Sequence, residues 1–240
     1  MPDLVELLLP ALRALEPDGR YLQSPPAPPT LDGVTSLFVI DLEMSGPVAQ
    51  THEVLDLGGV RCLLQLGLPE EESWGARVKP KHIGNAIPGA LKVVGYNPKA
   101  WKNAMDLDAA FKRFEAVGQG AVITGWGIGQ DMAFLVETAK RLNRPWPFAL
   151  VAMDVQTIAR KLLKGTGDVD HFNLGHVADR LGIGRLGEHG ALADAYATFD
   201  VLVKLAERGV SADTSTDGKG LDQAPERSSG WSDLRDARPS

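Results

Sequence analysis

Apolar and polar positions divide the chain into an N-terminal arm, a strand-rich stretch, a region of alternating helix and strand, and a polar tail. Leu4, Leu8, Leu12 and Leu15 recur at helical spacing and predict a short amphipathic helix over residues 3 to 15. The Pro-rich run Ser24 to Pro29 reads as a linker, so residues 1–30 are expected to form an arm and linker. Three segments rich in strand formers follow, Ser36 to Glu43, Glu53 to Leu64 and Trp74 to Lys79, spaced for an antiparallel meander.

The period then changes. A helix is expected near Asp106 to Val117, a strand at Ala121 to Gly125, and a helix at Asp131 to Leu142 with Leu135, Ala139 and Leu142 on one face. The apolar run Phe148 to Met153 leads into a helix Asp154 to Leu163, capped by Asp154 and stopped at Gly165. A short helix from Asn173 to Leu181 and a long one from about Glu188 to Glu207 complete the pattern. A βββαβαβα order implies an α/β fold, a mixed sheet with helices on its faces and functional groups at its strand ends. Residues 31–208 form the expected domain, and the Ser-, Asp- and Gly-rich segment 209–240 an expected disordered tail.

With 240 residues and 44% hydrophobic content, the chain can bury one full core. The single cysteine, Cys62, has no partner for a disulfide or a zinc site and reads as a buried strand residue. The apolar run Leu7 to Leu9 is cut by Pro10, and no stretch approaches the length of a membrane span, so a cytoplasmic location is expected. A net charge of −6 argues against a protein coated in positive charge, yet allows local contact with phosphates.

The acidic residues carry the chemistry. Side chains alternate on a strand, so Asp41 and Glu43 point to one face at the end of the apolar run Leu37 to Ile40. Two like charges there are either solvated at the edge or offset by a divalent cation. Asp131 follows the glycine-rich turn Trp126-Gly-Ile-Gly-Gln130 and would begin a helix, as an N-cap or as a third ligand. Asp194 sits among small apolar residues on the last long helix, where a charge needs a partner. His189 is five residues earlier, about 140° around an ideal helix, which places it at the helix entrance or in the preceding loop.

These residues resemble the DEDD superfamily of 3′-to-5′ exonucleases in its histidine-containing branch, which includes the proofreading subunit of bacterial DNA polymerase III and oligoribonuclease. Phe38-Val-Ile-Asp-Leu-Glu-Met-Ser-Gly46 looks like the first motif, and Glu188-His-Gly-Ala-Leu-Ala-Asp-Ala195 is similar to the last. Val54 to Arg61 resembles the second strand, and Val78 to Pro98 the connection bordering the nucleotide pocket. The second motif departs from the pattern: Gly127 and Gln130 stand where the family usually has Asn and Phe, and Trp126 where His is frequent.

The resemblance implies a ribonuclease H-like fold and two Mg²⁺ or Mn²⁺ ions held by Asp41, Glu43, Asp131 and Asp194, with Asp41 bridging. It implies His189 as the general base, and single-stranded DNA or RNA 3′ ends as substrate, released as nucleoside 5′-monophosphates. It also brings the backbone near Met44 and Ser45 to the terminal nucleotide.

From Arg77 to Lys102 the chain carries six basic residues and no acidic one: Arg77, Lys79, Lys81, Lys92, Lys99 and Lys102. This is either a solvated basic edge or a phosphate-tracking rim, in which Tyr96, Trp101 and Trp126 either supply aromatics for base stacking or belong to the core. His52, His82, His171 and His176 lack such context and read as surface or packing residues. Two alternatives remain: a catalytically weak member holding nucleic acid or a partner protein through its N-terminal arm or C-terminal tail, and an oligoribonuclease-like hydrolase of short RNA.

Overall fold

Strand β2 (Ser36–Met44) owes its place at the centre of the sheet to Leu37, Phe38, Val39 and Ile40, all fully buried. The computed structural model describes residues 2–25, 27–165, 169, 171–184 and 190–214. Around β2 lie β1 (Leu12–Ala14), β3 (Val54–Leu63), β4 (Glu70–Arg77), β5 (Val122–Gly125) and β6 (Val151–Asp154), in the sheet order β1-β6-β5-β2-β3-β4. β2, β3 and β4 form the expected antiparallel meander, while β5 runs parallel to β2 and β6 parallel to β5. The sheet is mixed, and its parallel strands β2, β5 and β6 bring their carboxyl ends to one edge.

Alternation along β2 assigns its residues to two cores. Leu37 and Val39 face the helices α1 (Pro2–Leu8), α5 (Val155–Leu163), α6 (Leu174–Arg180) and α7 (Ala191–Thr214). Phe38, Ile40 and Leu42 face α3 (Leu107–Gly118) and α4 (Gly129–Arg141). The odd positions therefore look toward α7, and Asp41 and Glu43 continue that row beyond the apolar part of the strand.

The structure departs from the expected elements at three places. The helix expected over residues 3 to 15 ends at Leu8; a single 3-10 turn, Leu9–Ala11, follows, and the chain extends as β1 antiparallel to β6. Pro10 explains the break, because it has no N–H to donate and disfavours helical backbone in the residue before it. Leu4, Leu8, Leu12 and Leu15 are all buried, so this segment is packed into the domain instead of standing off it as an arm. The stretch from Val78 to Pro98 contains an unexpected helix, α2 (Pro88–Val94), started by Pro88 and closed at Gly95. The last helix runs to Thr214, past the expected boundary at 208, and the rest of the tail lies outside the described residues. Among the described residues no helix is long and apolar enough to cross a membrane. Cys62 is fully buried in β3, which pushes its thiol up to about 12.

Candidate active site

Three carboxylates converge where β2 meets α7. Asp41, Glu43 and Asp194 each offer an oxygen within 4.8 Å of the others. Asp41 and Glu43 arrive by strand alternation, and Asp194 comes from the first turn of α7. A register shift between Glu43 and Met44 ends the regular pairing with β3. The extra residue of that bulge is Leu55, whose carbonyl accepts the Val78 N–H at 2.8 Å and the Trp101 indole at 3.1 Å.

Asp131 joins from the other side of the sheet. It is the third residue of α4 and is 8% exposed; its Oδ1 accepts the backbone N–H of Leu42, the residue between Asp41 and Glu43, at 3.1 Å. Its carboxylate reaches across to β2, which rules out the N-cap reading; the cap position of α4 is Ile128, without a side-chain hydrogen bond. Asp131 is close enough to raise Asp41 strongly, but it is not part of the group whose oxygens all lie within 4.8 Å.

The electrostatics of this edge are those of crowded anions. Burial, and then the charges of Asp131, Glu43, Asp194 and Asp56, push Asp41 well above the usual carboxylate range. Burial, Asp194 and Asp56 bring Glu43 to about 7. Asp131 rises to about 7, chiefly by burial, against the lowering effect of backbone N–H groups. Every charge acting on Asp41 and Glu43 is a carboxylate, so neither has a compensating lysine or arginine among the described residues. Hard oxygen donors at this spacing fit a divalent cation such as Mg²⁺ or Mn²⁺.

The altered second-motif turn is held through its backbone. Gly127 has φ +61, the left-handed region that glycine and asparagine enter most readily. Its N–H donates to Asp154 Oδ1 at 3.0 Å, and the same oxygen accepts Gln156 N–H at 2.9 Å to cap α5. Asp154, expected only as a cap, therefore also fastens the turn that leads to Asp131. Gln130 is exposed, so its replacement of Phe leaves no gap in the core.

The substrate-side residues divide into two groups. Lys79, Lys81 and Lys92 are exposed, and none forms an ion pair with a described residue. Met44 and Tyr96 are half-buried. Ser45 is 1% exposed: its Oγ accepts Glu53 N–H at 2.8 Å and its carbonyl accepts Ile87 N–H at 2.8 Å, so its hydroxyl serves the fold. Trp101 packs inside the domain. It is 6% exposed, with Tyr96 against it and the Arg77 guanidinium 4.5 Å from its ring centre, so its faces are already covered. Trp126 is half-buried against the core and its indole nitrogen is sealed from solvent. His189 lies outside the described residues.

Sequence reasoning missed two acidic residues beside the site. Glu53 accepts the backbone N–H groups of Lys81 and His82 at 2.9 and 2.8 Å, tying the basic stretch to the end of β2–β3. Asp56 stands directly across from Glu43 on β3. A lone acid in the apolar run Val54-Leu-Asp-Leu57 was the available signal for Asp56.

Comparison with known families settles the assignment. The profile of the exonuclease family RNase_T matches residues 38–202, which spans both the β2 pair and Asp194. The chain belongs to this exonuclease family. The RNase_T domain is 29% identical over 179 residues to DNA polymerase III subunit epsilon of Aquifex aeolicus, covering 74% of this chain and 82% of that one. It is 27% identical over 180 residues to a presumptive bifunctional exonuclease/endonuclease protein of Mycobacterium tuberculosis, covering 72% of this chain but only 27% of the relative. Among solved structures, E. coli exonuclease I in complex with a dT13 oligonucleotide aligns with TM-score 0.61 and 19% identity, over 77% of this chain and 44% of that one. The RNase_T domain thus has the ribonuclease H-like fold of that solved exonuclease, a mixed sheet flanked by helices.

Proposed function

We propose that this RNase_T domain is a metal-dependent 3′-to-5′ exonuclease of the histidine-containing DEDD branch, acting on the 3′ ends of single-stranded DNA or RNA and releasing nucleoside 5′-monophosphates. The observation that carries the reading is the convergence of Asp41, Glu43 and Asp194 within 4.8 Å, with Asp131 fastened to the same strand through Leu42.

Asp41, Glu43, Asp131 and Asp194 would hold two Mg²⁺ or Mn²⁺ ions. Divalent cations at this place supply the positive charge that stabilises the scissile phosphate and the departing 3′ oxygen. His189, next in sequence to the Gly190 whose carbonyl accepts the Asp194 N–H at 3.0 Å, takes a proton from the attacking water. The exposed ammonium groups of Lys79, Lys81 and Lys92 grip the phosphates that lead to the 3′ end. Met44 and Tyr96 border the terminal nucleotide, and Trp126 shapes the second-motif side of the site.

The test is incubation of 5′-labelled single-stranded DNA and RNA with the full chain and Mg²⁺ or Mn²⁺, alongside EDTA and Asp131→Asn controls. A ladder shortened from the 3′ end only with metal and wild-type protein is expected. Absence of metal-dependent shortening of both substrates sinks the proposal.

A further inference from the structure

Asp56 is an acid with no role in the site just described, yet it stands opposite Glu43 on the face of the sheet that looks toward α7. Like charges directly across an antiparallel pair repel, so its presence there calls for a compensating interaction. Three are present. Burial raises its carboxyl to about 6, and against that the backbone N–H of Ala191, the charge of Arg77, its cross-strand neighbour on β4, and the backbone N–H of Leu57 each favour the charged form.

Ala191 is the first residue of α7, where N–H groups lack partners within the helix and the helix dipole favours an anion. Asp56 thus stands as an anion facing the start of the helix from another element, a place usually taken by a residue of the helix's own entrance. Two residues along the same face, Gly58 has no side chain where α7 comes closest: a Cβ there would collide with the backbone of Ala191 and Leu192. β3 therefore presents α7 with both an anion and a notch, and Asp194 follows Ala191 by three residues, about one helical turn.

We propose that Asp56 is a positioning residue: by accepting the Ala191 N–H it seats the first turn of α7 on β3 and so sets where Asp194 stands against Asp41 and Glu43. This rests on the reading of those carboxylates as a cation site. Asp56 itself is outside the group of converging oxygens, so its role is exercised through Asp194 and not by direct ligation.

The test reads Mn²⁺ affinity by calorimetric titration of the full chain without nucleic acid, with thermal unfolding to confirm that each variant is folded. Asp56→Ala is expected to weaken Mn²⁺ binding by about 10-fold or more, the scale on which outer partners of metal ligands act. It should also speed amide hydrogen exchange at Ala191. Asp56→Asn keeps an acceptor oxygen and is expected to stay within about 3-fold of wild type, less than the change on removing such a partner. A folded Asp56→Ala with wild-type affinity overturns the proposal, and so does an Asp56→Asn that loses as much as Asp56→Ala.

Gly58→Ala, whose methyl would lift α7 from β3 with Asp56 intact, should weaken Mn²⁺ in the same manner, and unchanged affinity there also overturns it. A wild-type chain that binds no Mn²⁺ overturns this inference together with the cation reading. One that binds Mn²⁺ but shortens no nucleic acid overturns the exonuclease proposal alone.

Discussion

Asp131 Oδ1 accepts the N–H of Leu42 at 3.1 Å, so the first turn of α4 is bonded to β2 at the residue between Asp41 and Glu43. The backbone holds these carboxylates together against their own repulsion, which is why burial and neighbouring anions raise Asp41, Glu43 and Asp131 together.

Replacing Asp131 with Asn removes one of the crowded anions while leaving an oxygen to accept the Leu42 N–H. The metal-free variant is expected to melt higher than wild type near pH 8, because the ionised cluster is where the strain lies. Exonuclease activity should fall by about 100-fold or more, the scale of losing one electrostatic contribution to a transition state. Calorimetric melting in EDTA and a gel-based cleavage assay check the two halves, and a lower melting temperature would contradict the account of mutual repulsion.

Stability without metal should depend on pH in a fixed direction. Glu43 and Asp131 lie near 7 and Asp56 near 6 in the folded chain, all above their unfolded values near 4. The folded state therefore binds more protons than the unfolded state between those limits, and stability falls as pH rises. The contribution is complete below about pH 4 and lost as pH passes through about 6 to 7. Melting temperatures in EDTA should drop across that window, and saturating Mn²⁺ should flatten the drop by binding the ionised carboxylates. A melting temperature in EDTA that climbs from pH 5 to pH 7 would contradict this.

Position 127 should accept Asn and resist other side chains. At φ +61 an ordinary L-residue costs about 1–2 kcal/mol, whereas Asn enters this region with local hydrogen bonding. Gly127→Asn should keep both melting temperature and activity close to wild type, and Gly127→Val should lower both, because the turn delivers Asp131. Equal tolerance of the two changes would show that the turn's conformation is not constrained.

The exposed lysines and the buried tryptophan should separate binding from folding. Changing Lys79, Lys81 and Lys92 together to Gln should leave the melting temperature near wild type. It should also reduce the slope of log affinity for single-stranded DNA against log salt by about 2, at roughly 0.7 per lost phosphate contact. Trp101→Ala should instead cost about 3–5 kcal/mol of stability, because the ring is buried and its nitrogen bonds to Leu55. Fluorescence anisotropy over a salt series, paired with denaturant unfolding of each variant, measures both effects.

Much of this protein could be read locally. The meander, the parallel strand near Ala121 to Gly125, the helix following Asp154 and the facing of Asp41 and Glu43 all follow from side-chain period, capping residues and the reach of a few neighbouring positions. The N-terminal leucines were readable as one apolar face but not as helix and strand packed into the domain, because residues 12 to 14 extend by pairing with β6, a partner far along the chain. Trp101 shows the same limit: an aromatic in a basic run looks like a stacking platform until Arg77, Tyr96 and the Leu55 carbonyl are brought around it.

The sequence by itself determined which groups could do chemistry here, through residue type and strand alternation. Only the tertiary structure decided which of them meet. The Asp131 bond to Leu42, the register that sets Asp56 against Glu43, and the seating of α7 on Gly58 each join positions distant in the chain. Local periodicity sets the face a side chain occupies, but the distance between two faces is set by packing.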